Sequence, residues 1–232
     1  MFKTLLFYFI FFISLVATSI AIIISSFFIS VQDLQKISRF WVLNILRLLK
    51  TLCDISWTVE GLHHLQDKPF VMMSNHQGPW ESLFLQTLIL PTSSVIKKEI
   101  LYIPFFGWAI SRLGPISINR KKKNTSLKRV VAVGAERIRE GYVVLLFPEG
   151  TRRAPEKGIG RFMNSGGVLA ANENVPVIPI CHNSGKYWRN HSLAKKSGNI
   201  SIIIGPPIQG SDSKAITQQA QKWVAETYNK IN

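Results

Sequence analysis

Pro69-Phe70-Val71-Met72-Met73-Ser74-Asn75-His76-Gln77-Gly78-Pro79-Trp80-Glu81-Ser82 reads as a buried strand that passes through a tight turn into a helix. Pro69 to Ser74 is an apolar run of strand length, and Leu83 to Leu90 continues beyond the turn as a buried helix. Proline disfavours helical geometry in the residue before it and suits a helix's first turn. Gly78-Pro79 therefore places His76 in the turn leaving the strand and Glu81 in the first turn of the helix. On an unbroken helix, residues five apart point about 140° from each other. The break lets Glu81 fold back toward the imidazole, and a carboxylate there suits the positive end of the helix dipole. A histidine oriented by a carboxylate is the pairing a general base needs. An ordinary turn histidine beside an N-terminal helix acid has the same spacing, so the rest of the chain must separate the two.

Outward from this stretch, helix and strand periods alternate. Ile55 to Val59 alternates apolar and polar, as an edge strand does, and a strand is expected near Ser94 to Lys97. Ile100 to Leu113 reads as mostly helical, with Pro104 and Gly107 breaking its start, and Pro115 to Ile118 as a short strand. Ser126 to Glu140 has a helical period, with Val130, Val133 and Ile138 inward and Arg129, Glu136, Arg137 and Arg139 outward. Tyr142 to Phe147 is continuously apolar, the mark of a central parallel strand. A helix from Ser165 to Asn172, strands Val177–Cys181 and Ile200–Ile204, and a helix Lys214–Tyr228 complete the chain. The expected class is α/β, a mostly parallel sheet flanked by helices, in which ligand sites gather at the carboxyl ends of the strands.

A hydrophobic segment precedes this body. Leu5 to Ile29 carries no charge over about 25 residues, long enough to cross a bilayer core and longer than the apolar core of a cleaved signal peptide. From Leu34 to Leu52, Lys36, Arg39, Arg47 and Lys50 project within about 80° of one another. Leu34, Ile37, Trp41, Ile45, Leu48 and Leu52 lie opposite them, with Phe40 and Leu43 intruding on the polar side. This pattern predicts a helix in the membrane interface with its basic residues toward phosphates; a core helix of the soluble body is the alternative. The expected division is therefore residues 1–52 as membrane anchor and interfacial helix and residues 53–232 as an α/β domain. Basic residues after the hydrophobic run place that domain on the cytoplasmic side.

The 232 residues are 47% hydrophobic with a net charge of +15. A chain this basic and apolar points to anionic partners at a membrane surface ahead of nucleic acid. Its two cysteines, Cys53 and Cys181, lie far apart, which argues against a disulfide scaffold and a four-cysteine zinc site. Phe147-Pro148-Glu149-Gly150-Thr151-Arg152 directly follows the central strand. Gly150 permits close backbone approach, loop N–H groups can form an anion nest, and Arg152 offers a planar fork for phosphate. Arg120 closes Gly114-Pro115-Ile116-Ser117-Ile118-Asn119-Arg120 at another strand end, followed by solvated Lys121 to Lys123. His63, His64 and His191 fall in turns or loops. A Cys181–His182 nucleophile is disfavoured because adjacent strand residues face opposite ways. Trp188 suits packing better than the rim of a lipid pocket.

Together these stretches resemble the glycerolipid acyltransferase family, in particular its bacterial members that act on 1-acylglycerol 3-phosphate. Asn75-His76 to Glu81 is similar to the family's N-H-x-x-x-x-D, Gly114–Arg120 to its second motif, and Phe147–Arg152 to its third at every position. Val175-Pro176-Val177-Ile178-Pro179 is similar to its fourth, and the resemblance extends over roughly residues 57–207. Glu81 stands where the family usually has Asp, and Asn119 where an acid is common. The resemblance implies that His76, oriented by Glu81, takes a proton from the sn-2 hydroxyl of a lysophospholipid. That oxygen would attack the thioester of acyl-CoA or acyl-carrier protein with no covalent enzyme intermediate, giving phosphatidic acid. It implies that Arg120 and Arg152 hold the acceptor phosphate, that Glu149 and Gly150 shape the pocket, and that Lys98 assists with phosphate or thioester. No metal or other cofactor is implied, membrane lipids are partners, and the location is a bacterial inner membrane. Another lysolipid acceptor is the nearest alternative. A non-catalytic binder of anionic lipid or nucleic acid is another, opposed by the intact set of His76, Glu81, Glu149 and Arg152.

Overall fold

The computed structural model describes residues 2–232, apart from the side chain of Lys123. Two long helices come first, α1 (Phe2–Ser25) and α2 (Val31–Cys53). There follow β1 (Ile55–Glu60), β2 (Val71–Ser74), α3 (Pro79–Phe84), β3 (Thr92–Lys97), α4 (Phe106–Arg112) and β4 (Ile116–Ile118). Then come α5 (Lys123–Arg139), β5 (Val143–Leu146), α6 (Ser165–Glu173), β6 (Val177–His182), β7 (Gly198–Ile204) and α7 (Ser213–Ile231).

The strands form one sheet in the order β1-β7-β6-β2-β5-β3-β4. Neighbours from β6 through β4 are parallel, whereas β7 runs antiparallel to β6 and carries β1 parallel beside it. This is the expected mostly parallel α/β sheet, with β1 at an edge and β5 between two parallel neighbours. Every residue of β2 and β5 is buried, because helices cover both faces there. Alternate side chains divide between the faces. Phe70 and Met72 pack with Val42, Leu46, Leu49 and Trp80 on one side; Val71 and Met73 pack with Val130, Leu169, Ile216 and Val224 on the other. Because the five strands from β6 to β4 run the same way, their carboxyl ends share one edge. His76, Lys98, Arg120, the Phe147–Arg152 loop and the turn after His182 all leave from it.

Two helices are shorter than their periods predict. The run Leu83–Leu90 stays helical only to Phe84 and tightens into a 3-10 turn, Leu85–Thr87. Ile100–Leu113 is a 3-10 turn, Lys98–Tyr102, then a break, then α4; Phe105 at the break has a positive φ of 58°.

The largest difference concerns α2. Lys36, Arg39, Arg47 and Lys50 are exposed, as the basic stripe requires. The helix nevertheless has two apolar faces, each covered by protein. Val42, Ile45, Leu46 and Leu49 bury against the sheet. Trp41 turns toward α1, where its indole N–H donates to Ser14 Oγ at 3.1 Å and its ring lies 5.7 Å from Phe11. Phe7, Leu46 and Ile55 belong to one core cluster, so packing continues across residues 52 and 53. Among the described residues α1 is the one helix long and apolar enough to cross a membrane, with a mean hydropathy of 2.6. Phe7 and Ile22 bury inward from it, and Phe2, Leu5, Phe9, Phe12 and Ile13 remain exposed.

Gln35 locks α2 to the sheet. It is buried; its Nε2 donates to Thr92 O and Leu113 O, each at 2.9 Å, and its Oε1 accepts from Thr92 N at 3.0 Å. Gln35→Leu keeps the volume and strands three backbone groups. At about 1 kcal/mol for each hydrogen bond, the variant should lose about 2–4 kcal/mol, read as a lower denaturation midpoint in detergent solution. An unchanged midpoint would remove Gln35 from the forces holding α2.

Candidate active site

His76 leaves β2 as expected, and Glu81 occupies the third position of α3. The Glu81 side chain is fully buried and both its oxygens face donors. Oε1 lies 2.9 Å from His76 Nδ1 and accepts N–H bonds from Gln77 at 2.7 Å and Gly78 at 2.6 Å. Oε2 accepts from Ser184 Oγ at 2.7 Å. An ionised carboxylate only accepts, so His76 carries its ring proton on Nδ1. Its Nε2 takes no protein hydrogen bond among the described residues. Phe147 stacks on the imidazole at 4.1 Å and 16°, and Arg153 N donates to His76 O at 2.8 Å. Gly78 has to be glycine, because a Cβ there would come 2.5 Å from Trp188 O.

Burial disfavours charge on His76 and pushes its pKa below the ordinary 6.5. Glu81 pulls it back up, and the positive charges of Arg152 and Arg120 push it down again. Burial alone would raise Glu81. The His76 hydrogen bond, the fields of His182 and His76, and the Gly78 N–H outweigh it and bring the carboxyl to about 2. At neutral pH the pair is therefore a carboxylate and a neutral imidazole with a free Nε2, the form that accepts a proton.

The other expected residues gather at the same edge with different degrees of attachment. Glu149 Oε1 accepts from Gly160 N at 2.9 Å and its Oε2 from His76 N at 3.4 Å. Gly150 adopts a φ of +69° that favours glycine. Arg152 is exposed and donates from Nη1 to Asn190 Oδ1 at 3.1 Å. Arg120 is half-buried; its Nε has no partner among the described residues and it lines a cavity of about 30 Å³ with Ile118, Phe147, Gly150 and Met163. Glu99 supplies the acidic charge near Arg120 that Asn119 does not, while Asn119 instead accepts from Lys121 N at 3.1 Å within its turn. Lys98 begins an exposed 3-10 turn at the end of β3, and among the described residues no hydrogen bond joins it to the His76 pair. No group of three or more His, Cys, Asp or Glu side chains among the described residues is arranged to hold a metal ion.

Residues outside the motifs complete the site. His182 is fully buried and straps β6 to β2. Its backbone N donates to Asn75 Oδ1 at 3.1 Å, its carbonyl accepts from Asn75 Nδ2 at 2.9 Å, and its Nε2 lies 2.8 Å from Asn75 O. Ser184 N donates to His182 Nδ1 at 3.3 Å, which leaves the His182 ring proton on Nε2. Gln77 Oε1 accepts from Gly185 N at 3.0 Å, and Gln77 Nε2 reaches Tyr228 OH at 2.8 Å. The one signal for these residues is a polar run, His182-Asn183-Ser184, that closes an apolar strand and is buried nonetheless. Cys181 is inert, because burial drives its thiol far above the ordinary range. Trp188 is buried edge-on against Phe7 at 5.6 Å, a packing role.

The geometry sets a buried histidine–carboxylate pair, with a ring nitrogen uncommitted among the described residues, beside two arginines at the carboxyl edge of a mostly parallel sheet, an arrangement able to take up a proton next to positive charge. Residues 56–183 match the family model Acyltransferase. Over 217 residues the chain is 41% identical to a 1-acyl-sn-glycerol-3-phosphate acyltransferase of Pseudomonas aeruginosa, covering 89% of this chain and 84% of that protein. It is 32% identical over 181 residues to a chloroplastic 1-acyl-sn-glycerol-3-phosphate acyltransferase of Brassica napus, covering 75% of this chain and 51% of that one. The crystal structure of the 1-acyl-sn-glycerophosphate (LPA) acyltransferase PlsC from Thermotoga maritima superposes with a TM-score of 0.81 at 20% identity. That match covers 99% of this chain and 94% of the other, and shows a shared fold. The chain belongs to the Acyltransferase family.

Glu149 yields a pH prediction. Burial, opposed by the Gly160 and His76 N–H groups, raises its carboxyl from 4.5 to about 7. A raised carboxyl favours the folded state below the unfolded value and loses that contribution as pH rises through the folded value. Wild type and Glu149→Gln should therefore have similar melting temperatures at pH 4.5 and separate by pH 8, with Gln the more stable. Parallel melting curves across that range would mean that Glu149 keeps an ordinary carboxyl.

Proposed function

We propose that this chain transfers a fatty acyl group from a thioester donor, acyl-CoA or acyl-carrier protein, to the sn-2 hydroxyl of 1-acylglycerol 3-phosphate, giving phosphatidic acid. The observation that carries this reading is the His76–Glu81 pair with Nε2 left uncommitted beside Arg120 and Arg152. The names of the relatives support the same acceptor.

His76 Nε2 takes the proton of the acceptor hydroxyl as its oxygen bonds to the thioester carbonyl carbon. The tetrahedral adduct collapses with loss of the thiolate, and the imidazolium returns its proton to that sulfur. Glu81 holds the tautomer and stabilises the imidazolium. A thioester is already activated, so proton removal and positioning carry the chemistry, with no metal or cofactor. Arg120, whose Nε has no partner among the described residues, and Arg152 hold the acceptor phosphate. Gly150 and Glu149 shape the pocket between them, and Lys98, at the end of β3, meets a phosphate or the thioester group. The exposed apolar face of α1 and the basic stripe of α2 seat the enzyme on its lipid source, with the body on the cytoplasmic side of a bacterial inner membrane.

Purified protein supplied with 1-acylglycerol 3-phosphate and either donor should form phosphatidic acid, and other lysolipids should react more slowly. His76→Ala should lower the rate about 10²–10⁴-fold while preserving the fold. Because His76 titrates below 6.5, kcat/KM should hold down to that pH and fall only below it. Arg120→Ala and Arg152→Ala should raise the KM for the acceptor more than they lower kcat. Unchanged acceptor dependence in both would place the phosphate elsewhere; a His76→Ala variant with wild-type rates would end the base mechanism.

A further inference from the structure

Ser184 opens the 3-10 turn Ser184–Lys186 after β6 and is completely buried. Its Oγ lies 2.7 Å from Glu81 Oε2, across 103 residues of sequence. We infer that Ser184 is a positioning residue of the reaction: by holding Oε2 it fixes the plane of the Glu81 carboxylate, which keeps Oε1 aligned with His76 Nδ1 and leaves Nε2 as the basic nitrogen. This rests on the base role proposed for His76.

The distribution of donors separates this role from simple capping. Gln77 N and Gly78 N both donate to Oε1, at 2.7 and 2.6 Å, so the turn into α3 is capped with or without Ser184. Held through Oε1 alone, the carboxylate can still swing, because the terminal torsion of a glutamate has broad minima. Ser184 supplies the bond on the opposite oxygen, and the turn around Ser184 fixes where that bond points. Ser184 O accepts from Tyr187 N and Trp188 N, each at 3.0 Å. Ser184 N donates to His182 Nδ1 at 3.3 Å, and the other nitrogen of that ring bonds Asn75 O at 2.8 Å. Gly185 N donates to Gln77 Oε1 at 3.0 Å. The neighbours of Ser184 thus bond the residues on either side of His76, while Ser184 itself bonds the partner of His76. Base, orienting carboxylate and serine form a closed ring of contacts across two parallel strand ends.

The same geometry explains why glutamate stands at position 81. Its reach from the first turn of α3 satisfies the turn N–H groups and His76 with one oxygen and Ser184 with the other. An aspartate, one methylene shorter and held by the same turn, gives up the Ser184 contact.

Ser184→Ala and Ser184→Cys, alone and in the Glu81→Asp background, test this. Three readouts apply: steady-state kinetics with 1-acylglycerol 3-phosphate, ¹⁵N NMR of the His76 ring, and thermal melting. Ser184→Ala should lower kcat about tenfold to hundredfold, the usual loss when a supporting hydrogen bond behind a functional group is removed, with both KM values unchanged. The His76 ring should change from one Nδ1–H tautomer to a mixture, and Ser184→Cys, a weaker donor of similar size, should fall between. In Glu81→Asp the serine should matter little, so that Ser184→Ala costs far less there. Wild-type kcat and an unchanged tautomer in a folded Ser184→Ala would overturn the inference, as would an equal loss in both backgrounds. The NMR readout needs no substrate. A tautomer that shifts in a protein unable to acylate 1-acylglycerol 3-phosphate would end the acceptor assignment and leave the positioning role standing.

Discussion

A carboxylate with no exposed surface must find donors inside the protein to replace water, and the structure around Glu81 follows from that requirement. Its two oxygens collect His76 Nδ1, two backbone N–H groups and the Ser184 hydroxyl. Each donor imposes a condition on the fold. The backbone donors require the Gly-Pro entry to α3. The imidazole requires β2 to end just before His76, five residues ahead of Glu81, and the serine requires β6 to lie beside β2 in parallel, so that both strands end at the same edge. Removing a partner from such a group costs more than the bond itself contributes, because the charge stays buried. The carboxylate therefore ties the His76 turn to the strand order.

The electrostatics of the site favour a neutral His76 beside an ionised Glu81. Burial chiefly holds His76 below its ordinary pKa, and the charges of the two arginines at the sheet edge, the groups proposed to meet the acceptor phosphate, push the same way. A base built this way is unprotonated at neutral pH before substrate arrives. Glu81 opposes the arginines, and its low pKa keeps it ionised throughout the working range. It therefore faces the Nδ1 proton as an acceptor and fixes the ring's orientation. Glu149 has the opposite character, buried near His76 with its carboxyl at about 7, and acts chiefly by fixing backbone N–H groups of Gly160 and His76.

Much of this is legible along the chain because several local signals agree. At His76 an apolar run, a Gly-Pro break and an acid in the first helical turn all favour one conformation, and the pair forms where they place it. The continuous apolar run of β5 likewise records cover on both faces. The α2 helix is only half legible. Hydropathy registers that its faces are apolar without distinguishing lipid from a neighbouring helix, and Gln35 acquires its role from backbone groups 57 and 78 residues away. The same limit hides Ser184 and His182. Nothing in their immediate sequence pairs them with Glu81 and Asn75; the sheet order does, at separations of 103 and 107 residues.

If His76 acts as a base on the acceptor hydroxyl, no side chain is acylated on the way. Acyl-CoA or acyl-carrier-protein thioester mixed with the enzyme alone, then with 1-acylglycerol 3-phosphate added, tests it by intact-protein mass spectrometry and thiol release. The protein mass should stay unmodified throughout, and thiol should be released only after the acceptor is present. An acylated protein formed before acceptor is added, with a matching burst of thiol, would contradict it.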